Sequence, residues 1–154
     1  MKFSTREDIE APVDHVSGYL VDFDSHEKLI LERNGKIQRV DDAPCPSVGN
    51  QWDIELKVRG KDRKLKCKIV KVEENKVLNA KTSSDGLDAN MEISLVPLSK
   101  SKTRMLISVD LKPKSLSVRL VVQSMKLAKS SLMKRFKDRV GQFAQVIEND
   151  YKNA

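Results

Sequence analysis

The chain has 154 residues, with 29 Lys and Arg against 22 Asp and Glu, a formal net charge of +7. A chain of this length is expected to form one domain, residues 1–154, and to bury roughly 68–70% of its unfolded surface, so a core needs no staples. Two cysteines, Cys45 and Cys67, are too few for a disulfide framework or a metal cluster, and no stretch approaches ~18 consecutive apolar residues. Free thiols fit a reducing compartment, and the opening "MKFSTREDIE" has no export-signal pattern, so the expected location is the cytoplasm.

Phe3, Thr5, Glu7 and Ile9 alternate with Lys2, Ser4, Arg6 and Asp8, a period of two that predicts a first strand closed by Pro12. "VDHVSGYLVDF" then sets Val16, Tyr19, Leu20 and Phe23 at helical spacing. Asp24 or Ser25, with Glu27 three residues beyond Asp24, predicts the capped start of a second short helix over residues 24–32. His15 and His26 fall in this helical pair and are expected to face solvent. Asn34-Gly35 ends the pair, and "KIQRV" begins a strand.

A long run of period two follows. "VGNQWDIELKVRG" places Trp52, Ile54, Leu56 and Val58 on one face, with Asp53, Glu55, Lys57 and Arg59 on the other. "KLKCKIVKV", "VLNAKT", "LDANMEISLVP" and "TRMLISVDLKP" repeat the alternation between turns at Gly60-Lys61-Asp62, Asn75-Lys76, Asp85-Gly86 and residues 99–102. Short turns make these strands antiparallel, with one face buried and the other wet. Residues 115–149 switch to a helical period through Val121, Met125, Ala128, Leu132, Phe136, Val140, Phe143 and Ile147. Unbroken, that helix would run on the order of 50 Å. The excess charge sits on the same segment: residues 112–139 hold nine Lys or Arg and one acid, Asp138, a net of +8. The order β, two short α, six β, one long α predicts an α+β fold of about seven strands, its apolar face curled around the last helix.

That order, with its residues, resembles the START-like superfamily (SRPBCC, or helix-grip fold), in its polyketide cyclase/dehydrase-like branch. "IEAPVDHVSGYLVDFDSHEKLI" is similar to the family's opening strand, Ala-Pro-Val turn and paired helices. "SVGNQWDIELKVRG" resembles its Gly-initiated strand, with Gly49 and Trp52 in place, and the terminal helix resembles the grip helix. The resemblance implies an apolar cavity between sheet and long helix that takes lipids, sterols, polyketides or quinone-like molecules.

The residues support a cavity on their own terms. Cys67, Ala80, Thr82 and Ala89 are small residues on the apolar strand face, and one Trp, two Tyr and four Phe are few aromatics to fill the interior. The competing reading has Met91, Met105, Met125 and Met133 plugging the space. Candidate lining residues are Trp52, Leu56, Ala80, Met91, Ile107, Met125, Leu132 and Phe136. Lys129 falls on the apolar stripe of the terminal helix at 100° per residue. A charge there either needs a partner, Glu7 or the acidic head of a ligand, or snorkels to water at a cavity mouth.

No nucleophile elbow, metal-ligand spacing or glycine-rich phosphate loop is present, so no catalytic residue, metal or cofactor is assigned. The expected function is binding of an apolar or amphipathic small molecule. A polyketide cyclase-like enzyme is the first alternative, with Glu7 and Lys129 as the inward pair to move protons. A ribosome- or RNA-associated module using the basic helix is the second. The basic face reads first as a solvated surface. Nucleic acid is not the favoured partner, because Phe136 and Phe143 lie on the apolar stripe and cannot stack on bases. A weak contact with a membrane surface fits the charge, and oligomeric state has no sequence signal.

Overall fold

A computed structural model of the chain describes residues 1–58 and 60–154; Arg59, assigned above to a wet strand face, lies outside the described residues. Strand β1 (Lys2–Ile9) is followed by helices α1 (Val13–Leu20) and α2 (Phe23–Glu32). Six strands come next: β2 (Lys36–Arg39), β3 (Gln51–Val58), β4 (Lys61–Glu73), β5 (Val77–Ser84), β6 (Leu87–Ser99) and β7 (Lys102–Pro113). Helices α3 (Leu116–Lys126) and α4 (Lys129–Lys152) close the chain. The seven strands form one curved antiparallel sheet in the order β1-β7-β6-β5-β4-β3-β2.

The alternation sets the register. Phe3, Glu7 and Ile9 pair with Val109, Met105 and Thr103 of β7, which joins the first strand to the last. Trp52 pairs with Cys67, and Ala80 sits between Ile69 and Met91, so the small inward residues meet bulky neighbours. The β4–β5 ladder shifts between Ile69 and Lys71, and the β6–β7 ladder between Pro97 and Ser99. Bulges of this kind bend strands, which helps a flat ladder become a concave one. The deepest core lies where β1 and β7 meet α1 and α4, with Ile9, Val16, Met105 and Ile147 fully buried.

Two expectations are corrected here. The C-terminal segment is two helices, not one continuous rod. The Leu127 N–H bonds the Ser124 carbonyl and the Ala128 N–H bonds the Met125 carbonyl, which tightens the last turn of α3 and stops it. The two helices serve different partners: α3 packs on β7 while α4 runs along β1. Gly86, at φ +72°, shows how tightly α3 is seated, since a Cβ there would lie 2.6 Å from Ser115 Oγ and 2.8 Å from Val118. The second correction concerns α2. Its N-cap is Asp22, whose carboxylate accepts from the Ser25 N–H (3.3 Å) and the Ser25 hydroxyl (2.6 Å), which frees Glu27 from a capping role. Among the described residues, no helix is long and apolar enough to cross a membrane.

Candidate ligand cavity

The concave face of the sheet leaves an apolar cavity of about 320 Å³ beneath α2. Its floor is built from inward residues of β2 to β7, among them Trp52, Cys67, Ala80, Met91 and Ile107. Its roof is Leu20 of α1 and Phe23, His26, Glu27 and Ile30 of α2. Phe143 is the one α4 residue in the wall among the described residues. The space therefore lies between sheet and α2 more than between sheet and terminal helix, because α4 hugs the β1 edge.

Four of the candidate lining residues come together here: Trp52, Ala80, Met91 and Ile107. The others lie elsewhere. Leu56 packs at the α2–β2 corner, where a Cβ on Gly35 would sit 2.8 Å from its Cδ2. Phe136 turns its ring toward Phe3, with centroids 5.9 Å apart, while Met125 and Leu132 are half-buried on α3 and the start of α4. Of the four methionines expected to plug the space, Met91 reaches the cavity, and Met105 is sealed in the core beside β1. Cys67 and Ala80 leave volume where they stand.

Lys129 and Glu7 are also outside the wall. Lys129 is exposed as the first residue of α4. Its azimuth does fall on the apolar stripe, but the buried residues of α4 are Val140, Ala144 and Ile147, so the first turn stands beyond the core. Glu7 is half-buried under α4 instead, its Oε1 3.3 Å from where a Cβ on Gly141 would be.

Beside the Cys67 thiol of β4, two polar groups of the cavity come from α2, and sequence reasoning missed both. Trp52 Nε1–H donates to Glu27 Oε1 at 2.7 Å. Phe23 packs edge-on against the same indole, centroids 5.0 Å apart. A buried indole N–H needs an acceptor, and that requirement was the available signal for Glu27. His26 is half-buried rather than turned to solvent, with Nε2 3.1 Å from the Leu20 carbonyl. A carbonyl only accepts, so Nε2 carries the proton. His15 is likewise half-buried, 3.1 Å from Asp150 and edge-on to Tyr151. The Cys67 thiol is pushed up by burial, against the opposing hydrogen bond with Thr82, so it stays a neutral wall group.

No family model matches the sequence, and no curated protein does. Solved structures do match. A START superfamily protein from Mycobacterium smegmatis superposes with a TM-score of 0.58 at 13% identity, covering 89% of this chain and 97% of its own. Ara h 8.0201 superposes with a TM-score of 0.65 at 15% identity, covering 100% and 99%. The ZhuI aromatase/cyclase from Streptomyces sp. R1128 gives 0.61 at 12% identity, covering 75% and 69%. At such identities the likeness is one of fold. With a single antiparallel sheet curved around its helices, the chain has the helix-grip fold that these solved structures share.

Proposed function

We propose that this chain binds a compact apolar molecule with one hydrogen-bonding end in the cavity beneath α2. The observation that carries this reading is the wall itself. It is apolar throughout except for Glu27, His26 and the neutral Cys67 thiol, with the first two adjacent at the roof. Pockets that take small molecules combine an apolar lining with a few placed polar groups. At about 320 Å³ the cavity is near the lower end of the ~300–1,000 Å³ usual for such sites, which favours one or two rings or a single short chain over a two-chain lipid. Glu27 accepts from the indole, and its remaining lone pairs suit a ligand hydroxyl or N–H. The free thiols of Cys45 and Cys67 suit a reducing compartment such as the cytoplasm.

A second reading is catalytic, of the aromatase/cyclase kind that one structural neighbour's name records. Here His26 and Glu27 would replace Glu7 and Lys129 as the groups that move protons, since neither of the latter lines the cavity.

The experiment uses the chain's one tryptophan as the reporter. Titration with a panel of hydroxylated aromatic and short-chain probes should quench or shift Trp52 emission, and native mass spectrometry of purified protein should show an apolar adduct. Glu27→Gln should weaken hydroxylated probes more than their deoxy analogues, by about tenfold for a lost charge-assisted hydrogen bond. No adduct and no response of Trp52 to any probe would overturn the reading. Turnover of a probe, abolished by Glu27→Gln, would favour the second.

A further inference from the structure

We propose that α3 is a docking element for an anionic lipid surface, independent of what the cavity holds. Three leucines stand out from this helix. Leu116 is 74% exposed, Leu120 62% and Leu127 93%, while the opposite side seats Val122 in the core and half-buries Val118 and Met125. Leu127 keeps right-handed helical dihedrals, so it continues the path of α3. At 100° per residue the three leucines fall within about 40° of one another, a single apolar ridge along the outer face. Arg119 and Lys126 lie roughly 60–80° to one side of it. Lys129, also exposed, opens the next helix. Arg119, Lys126 and Lys129 have no carboxylate at ion-pair distance among the described residues.

An apolar ridge flanked by unpaired cations asks for a partner that is greasy in the middle and negative at the rim. A lipid surface with anionic headgroups offers both, the leucines entering the acyl boundary and the cations meeting phosphates. The alternatives fit less well. A second copy packed by a two-fold axis would set one basic segment against another, because residues 112–139 carry a net +8. Three leucine side chains also fall well short of the ~800 Å² per partner of a standard interface. RNA would satisfy the cations and leave the leucines with nothing, and Phe136, whose ring faces Phe3, is not available for stacking.

The test is co-sedimentation of the full chain with vesicles of phosphatidylcholine, with and without phosphatidylglycerol, at low and high salt. The protein should pellet with the phosphatidylglycerol vesicles, be left behind by pure phosphatidylcholine, and be released by salt. Leu120→Ser combined with Leu127→Ser should lower partitioning by about tenfold or more, since buried leucine surface is lost. Both positions are exposed, so the thermal midpoint should stay put. Arg119→Glu should weaken binding by about fivefold or more while leaving the ridge intact. Three results would overturn the proposal: no sedimentation with either vesicle, equal sedimentation with both, or unchanged binding by the double leucine variant. A dimer that the leucine changes turn into a monomer in sedimentation velocity would overturn it as well. Failure here would leave the Trp52 titrations untouched.

Discussion

At the scale of single residues, the polar group most fully engaged is Asp41, outside the cavity. Its carboxylate accepts from Arg39 at two atoms (2.9 and 3.1 Å), from the backbone N–H groups of Gln51 (2.8 Å) and Ala43 (2.9 Å), and from Asn50 (3.1 Å). The Arg39 guanidinium, then the Gln51 N–H, hold this carboxyl well below its ordinary value of 3.8. A depressed folded value means that Asp41 stabilises the fold above the unfolded value and loses that contribution as pH falls below about 4. Asp41→Asn should therefore lower the thermal midpoint at pH 7, and the gap to the parent protein should shrink as melts are repeated below about pH 4. A gap that stays constant with pH would mean the loop needs the shape of this side chain and not its charge. Residues that answer to their own strand, such as Trp52, Ala80, Met91 and Ile107, were legible from alternation alone. Glu27 was not, because its partner lies 25 residues away and a nearer role, capping, offered itself. Lys129 shows the complementary limit: a helical wheel reports direction around the axis and is silent about how far along it the core extends.

At the scale of elements, the contact between β1 and α4 contains a small conflict between helix propensity and packing. Gly141 lies inside α4, where Gly costs about 1 kcal/mol relative to Ala. A Cβ there would come within 3.3 Å of Glu7 Oε1, so the glycine leaves room for an acid held under the helix. Gly141→Ala should raise the thermal midpoint little in the parent protein, because the carboxylate must swing aside. In a Glu7→Ala background the same change should recover most of that ~1 kcal/mol, roughly 2–4 °C for a chain of this size. Melts of the four proteins in the cycle check this, and strict additivity would show that Glu7 does not constrain the helix. Element order, strand pairing and the helical pair after β1 could all be read from hydrophobic period and turn residues. The break between α3 and α4 could not, since residues 127 and 128 carry neither Gly nor Pro. It is imposed by tertiary geometry, as α3 is held against β7 and the Gly86 turn while α4 follows β1.

At the scale of the whole molecule, the cavity and the core are parts of one packed interior. Ile69, Leu78, Ala80 and Ile93 belong to the central hydrophobic cluster and also face the cavity. Occupancy should therefore be felt as global stability. A ligand at a free concentration of 100 times its Kd stabilises by about 2.7 kcal/mol, which corresponds to a rise of about 5–10 °C in thermal midpoint for a chain of this length. Ala80 separates this effect from nonspecific stabilisation. Its methyl is buried between Ile69 and Met91, and Ala80→Leu would extend an isobutyl group into the void. Each added methylene that finds room contributes about 0.8 kcal/mol. The ligand-free variant should melt above the parent protein, and its ligand-induced rise should be smaller, because the added group and the ligand compete for the same volume. Differential scanning calorimetry with and without a probe that shifts Trp52 emission measures both quantities. A variant that melts lower, by the ~1–3 kcal/mol typical of overpacking, would show that the wall around Ala80 is already closed. A variant that melts higher yet keeps the full ligand response would place the ligand somewhere other than beneath α2.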